Sequence, residues 1–160
     1  MFAYNIGPST PATPLTTHGT PNTELVNAAL RQAVRGFDLA SILAGGRAAA
    51  LTSITGISML VRRWTTVGSG GTAITPAPTR IGTVASTAAV DSQTAITAGT
   101  VSGAVVCGFT FGAAGPGGWT AVNPDAQVHV EAGSADELAL TTLCGVASMA
   151  LQIPNITIFE

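Results

Sequence analysis

Only 9% of this 160-residue, 15.9 kDa chain is charged, against roughly a quarter in ordinary soluble domains; it is long enough for one core but has little charge to keep free monomers apart. A net charge of −2, a pI ≈ 5.5 and the absence of lysine exclude the electrostatic footprint of a general nucleic-acid binder. Two cysteines without CxxC spacing and two unclustered histidines give metal binding no support, and no cofactor signature is present.

The first eight residues, Met1 to Pro8, lack the basic segment and apolar run of a secretory signal, so the chain is expected to fold in the cytoplasm where it is made. Residues 1–14 are expected to form an extended arm ahead of one domain over 15–160. Pro8, Pro11 and Pro14 fix φ and remove amide donors, which suits neither a helix nor a central strand. An arm outside the core lies along a neighbour or stays loose, so Pro8, Pro11, Pro14 and Leu15 are candidate subunit contacts.

Residues 23–34 carry the one stretch of helical character. Leu25, Ala28, Ala29 and Ala33 recur at helical spacing behind Pro21, yet the same residues also read as a strand running into 34–39. The chain therefore has at most one short helix. The apolar region 48–61 is broken by Thr52, Ser53, Thr55, Gly56 and Ser58 and ends at Arg62 and Arg63. It is shorter than the ~20 residues a helix needs to cross a membrane, so no membrane partner is expected.

From Leu51 onward the period is two. Ile57, Met59 and Val61 alternate with Ser58, Leu60 and Arg62; Val105, Cys107, Phe109 and Phe111 alternate with Gly108, Thr110 and Gly112. Val128 and Val130 stand against Gln127, His129 and Glu131. Leu138 with Leu140, then Met149, Leu151 and Ile153, then Ile156 and Ile158 complete the set, with Pro154 marking a bend or an edge. Short strands joined by Gly-rich connections indicate a mainly β chain: a single antiparallel β-sandwich or jelly roll. Cys107 and Cys144 fall on separate strands and read as two small buried hydrophobes, with a disulfide across the sandwich as the alternative that two positions in sequence leave open.

All six basic residues are arginines in the first half, where Glu24 and Asp38 leave +4; the second half has six acids, no base and a charge of −6. The halves either interleave in one fold or present complementary surfaces to partners.

Groups able to do chemistry are scarce. His129 alternates away from Val128 and Val130, Asp136 and Glu137 read as a solvated turn, and no Gly-x-Ser-x-Gly elbow occurs. Gly68-Ser69-Gly70-Gly71-Thr72 lacks the lysine of a phosphate loop and reads as a hairpin tip. Arg62 and Arg63 beside Trp64 could present cation and π surface to an acidic protein face. The chain is therefore expected not to be an enzyme.

The Pro/Thr arm, the segment from Arg62-Arg63-Trp64 to Pro76-Ala77-Pro78, the Ala/Thr/Ser excursion after it, Ala135-Asp136-Glu137-Leu138-Ala139-Leu140 and Ile156-Thr157-Ile158-Phe159-Glu160 together resemble small structural proteins of tailed bacteriophage particles. That resemblance implies a jelly-roll-like β-sandwich on the capsid surface of a virion, made in the host cytoplasm. It would act as a homotrimeric decoration or cement protein whose partners are the major capsid protein and itself. Contacts are then expected at the arm and at Arg62, Arg63 and Trp64, with residues 68–83 facing lattice or solvent. The alternative is a receptor- or glycan-contacting module of a head or tail fibre, using Trp119 and the Gly/Ser/Thr loops.

Overall fold

Period-two alternation, visible in the sequence from Leu51 onward, organises the described chain on both sides of that point. The structure, a computed structural model, describes residues 1–7, 16–18, 22–32, 35–48, 56–66, 68, 72–92, 99–112, 115–132, 137–145 and 149–160. In chain order the strands are β1 (Ala3–Ile6), β2 (Thr16–His18), β3 (Leu25–Gln32), β4 (Phe37–Ala48), β5 (Gly56–Thr66), β6 (Thr72–Ile74) and β7 (Ala77–Pro78). There follow β8 (Ala88–Ser92), β9 (Thr100–Gly112), β10 (Gly117–Thr120), β11 (Val128–Val130), β12 (Leu138–Cys144) and β13 (Met149–Phe159). A 3-10 turn, Pro124–Ala126, is the only helical element among the described residues.

The strands form two antiparallel sheets. The seven-stranded sheet runs β10-β4-β13-β1-β7, with β11 also on β4 and β2 also on β13; the six-stranded sheet runs β6-β8-β3-β12-β5-β9. One core fills the space between them. Tyr4, Ile6, Phe37, Leu39, Ile42, Ile156 and Ile158 from the first sheet meet Leu30, Ile57, Met59, Val61, Leu138 and Leu140 from the second. Each such side chain contributes about 1.5–3 kcal/mol by leaving water. The fold is thus a mainly β, antiparallel sandwich.

Alternation decides which residues meet. In β5, Ile57, Met59 and Val61 are buried while Ser58, Leu60 and Arg62 are less so, and in β11 Val128 and Val130 flank exposed His129. The 23–34 ambiguity resolves to strand β3, paired with β12 and β8. Sheet partners on both sides outweigh helical spacing there, since Leu30 and Ala28 join the core while Ala29 packs behind the sheet.

Pro154 sits inside β13, where pairing with β4 shifts between Gln152 and Asn155. It marks a bulge in a strand with neighbours on both sides, the one interior setting a proline tolerates. Within the stretch expected as an arm, β1 is a sheet strand whose Tyr4 and Ile6 are core residues. β1 pairs with Ile156 to Phe159 and β2 with Met149 to Leu151, so β13 holds both flanks of the proline segment. Pro8, Pro11, Pro14 and Leu15 lie outside the described residues.

Two cross-half pairs answer the charge question: Arg31 lies 3.4 Å from Glu137, and Arg35 lies 4.0 Å from Glu160. The halves of opposite sign interleave in one fold.

Candidate functional site

On the side of the sandwich where β9 ends one sheet and β10 and β11 end the other, the sheet edges leave a groove of about 350 Å³. Arg63, Val106 and Cys107 line it from the β5–β9 side. Trp119, Val122, Gln127 and His129 line it from the other.

Local chemistry shapes each wall. Gly117 lets β10 cross close to β9, because a Cβ there would lie 2.4 Å from the Cβ of Phe111. Asn123 caps the 3-10 turn by accepting from the Ala126 amide at 2.9 Å, and Pro124 occupies the first turn, where no amide donor is needed. The Ala121 amide donates to Ala40 O at 2.9 Å, which pins the segment after β10 to β4. Arg63 reaches across the seam and donates from Nη2 to the His129 carbonyl at 3.1 Å. His129 Nδ1 in turn stands 2.6 Å from Asp38 Oδ1 on the outward side of β4.

These groups suit contact. Burial pushes the Cys107 thiol up to about 11, so it is a neutral wall at physiological pH and not a nucleophile. A half-buried indole beside a guanidinium and a primary amide offers one flat apolar face and several directional donors. That combination fits a sugar ring or a planar amide. Among the described residues no three of His, Cys, Asp and Glu gather as a metal site.

Of the expected contact residues, Arg63 lines the groove, whereas Arg62 and Trp64 point to the back of the six-stranded sheet. Arg62 forms a bidentate pair with Glu24, Nε to Oε1 at 2.6 Å and Nη2 to Oε2 at 3.1 Å. It also donates to Gly103 O at 2.7 Å, and Thr141 donates its hydroxyl to the same Glu24. Burial pushes the Glu24 carboxyl up, but the hydrogen bonds from Arg62 and Thr141 and the Arg62 charge outweigh it and hold the carboxyl below its ordinary value. Trp64 is 7% exposed and packs with Ala29 and Ala139. The strand end expected to face a neighbour is thus largely used within the chain.

The excursion 68–83 divides similarly. Gly68 is buried and accepts from Arg31 Nη2 at 2.6 Å, while Ile81 stands fully exposed on an Arg80–Thr83 turn made by Gly82 at φ 83°. Residues 69–71 of the Gly/Ser tip lie outside the described residues. Sequence reading named Trp119 but missed Val106 and Gln127 as its neighbours. Their meeting depends on two sheet edges that no local pattern brings together.

Compared with known proteins, the chain matches no family model, no curated protein and no solved structure.

Proposed function

We propose that this chain is a non-enzymatic structural protein of a tailed-phage virion, decorating and bracing the capsid through contacts with the major capsid protein and with copies of itself. The supporting observation is the outward face of the seven-stranded sheet. Its registers align Thr120, Ser41, Thr157, Asn5 and Ala77 in one cross-strand row, and Gly118, Leu43 and Asn155 in the next. A third row runs His129, Asp38, Phe159 and Ala3. Within these three rows the ionisable side chains are Asp38 and His129, both at one end of the third. Asn155 donates to Thr157 at 3.3 Å and Thr157 to Asn5 at 3.2 Å, so the polar atoms partly satisfy one another.

A cross-strand row of short neutral side chains, such as Thr120, Ser41, Thr157, Asn5 and Ala77, is cheap to cover. Short side chains lose little rotamer entropy, and hydroxyls and amides cost far less to desolvate than the ammonium or carboxylate groups of a typical surface. Repetition over a shell then turns a weak single contact into firm attachment. Ser41→Glu with Thr157→Arg should abolish co-sedimentation with particles and change the melting temperature little. Undiminished binding by that variant removes this face from the contact.

The groove favours a second reading, a receptor- or glycan-contacting module of a head or tail fibre. Trp119→Ala separates the two. Loss of host-cell adsorption with normal incorporation supports the fibre reading, and copy number per particle distinguishes a shell coat from a few fibres.

A further inference from the structure

Most charges of this charge-poor chain are used inside it. Arg31, Arg35 and Arg62 pair with Glu137, Glu160 and Glu24, His129 pairs with Asp38, and Arg63 and Glu131 also interact within the chain. Among the described side chains, Arg80 and Asp125 are the two charges left without a partner, and they are opposite in sign. Each stands beside exposed apolar surface. Arg80 precedes the fully exposed Ile81, and Asp125 lies on the 3-10 turn that walls the groove, close in sequence to Val122, which is 89% exposed.

The turn that carries Ile81 is anchored on both flanks. Before it, the Thr79 amide and hydroxyl donate to Ala3 O at 3.0 and 3.1 Å. After it, the Tyr4 hydroxyl donates to Val84 O at 2.9 Å, and Ser86 is held by Glu160. Gly82, with its positive φ, suits the third position of a turn whose second position holds Ile81 outward. An apolar side chain fixed in this way loses little freedom when a partner covers it. The turn and the groove lie at opposite edges of the seven-stranded sheet: β7 leads into the turn, β10 walls the groove, and four strand spacings of about 4.8 Å separate them.

We infer that Ile81 of one copy seats in the groove of the next, against Val106, Trp119 and Val122, with Arg80 paired to Asp125 across the contact. The occupant follows from complementarity. Asp38, Asp125 and Glu131 outnumber Arg63 around the groove, whereas Arg80 is the one charged residue of segment 76–90. A different protein docked at either place would leave the other charge and its apolar neighbours unexplained; a second copy accounts for both. Burial of Ile81 and Val122 removes apolar surface that a lone copy leaves wet. Because turn and groove face apart, one partner cannot engage both, so the contact is head to tail and closes as a ring or runs on as a filament. The homotrimer implied by the resemblance is the smallest such ring.

This inference rests on the reading that the chain self-associates, and gives that association its geometry. Sedimentation of the full chain tests it with Ile81→Ser, which removes the apolar tip, and Val122→Arg, which sets a second base against Arg80; both positions are exposed, so circular dichroism should not change. The wild type should form assemblies of three or more copies, and each variant alone should associate roughly tenfold or more less tightly. Mixed in equal amounts, the two should form a dimer that grows no further, since one keeps an intact tip and the other an intact groove. Arg80→Glu and Asp125→Arg should each weaken association, and the double exchange should restore it. A wild type that stays monomeric or stops at two copies, single variants that assemble normally, a mixture without dimer, or a double exchange that stays weak each overturns the inference. Particle binding is scored separately: a monomeric wild type that still coats particles sinks the head-to-tail contact and leaves the decoration reading standing, while an assembly that never binds particles does the reverse.

Discussion

Glu160 combines a charge with complete burial of its side chain, and its partners explain how that is tolerated. Its carboxylate accepts from the Ser86 hydroxyl at 2.6 Å, from the Thr87 amide at 2.9 Å and from the Ala88 amide at 2.9 Å. One side chain thus anchors the segment that leads into β8. Glu160→Ala leaves these donors without their acceptor, so it should cost about 2 kcal/mol. Thermal unfolding should show this as a melting point lower by about 4–8 °C. Arg62 makes a comparable case with a pH signature. Replacing it by Met leaves Glu24 without its bidentate partner and should cost about 1.5–3 kcal/mol at neutral pH. The wild-type Glu24 carboxyl is held below its ordinary value of 4.5, so its contribution is present above that pH and is lost as pH falls through the folded value. Denaturant titrations of the two proteins should therefore converge as the pH drops below 4.5.

At the scale of elements, β5, β9, β11 and β12 were legible because two-residue alternation is a local pattern that survives without knowledge of partners. β3 was not, since alanine and leucine at 25–33 satisfy both periods and only pairing with β12 and β8 decides between them. Arg62 and Trp64 were expected at a subunit contact because a strand-end Arg-Arg-Trp looks exposed. What hides them is Glu24 and Thr141 in one case and β3, β12 and the start of β9 in the other, all remote in sequence. Gly99 shows how tight that second cover is. A Cβ on it would come within 2.3 Å of Trp64 Cζ3 and of the Gly68 amide. Gly99→Ala should destabilise the fold by about 1–3 kcal/mol, measurable by urea unfolding, with a shift in Trp64 fluorescence.

For the whole molecule, scarcity of charge is the organising property, and the structure spends the few charges on internal ties such as Arg31–Glu137 and Arg62–Glu24. The rows through Ser41 and Leu43 on the outward face of the seven-stranded sheet are then left without charge. Cys107 offers a way to watch the groove. With its pKa near 11 it should alkylate at pH 7.5 on the order of a hundredfold more slowly than an ordinary exposed thiol of pKa about 8.5, and a ligand or partner seated against Trp119 should slow it further.

β1 is zipped along β13 from Ala3–Phe159 to Ile6–Ile156, so the chain's single tyrosine, Tyr4, fully buried in the core, waits for a partner some hundred and fifty residues downstream. During synthesis that partner leaves the ribosome tunnel after every other strand of the two sheets. Closing so wide a loop is slow, and until it closes β1 has the two-residue β7 beside it but not its long partner. Nascent chains arrested before Met149 should accordingly remain open to protease at Tyr4, and become resistant only once β13 emerges.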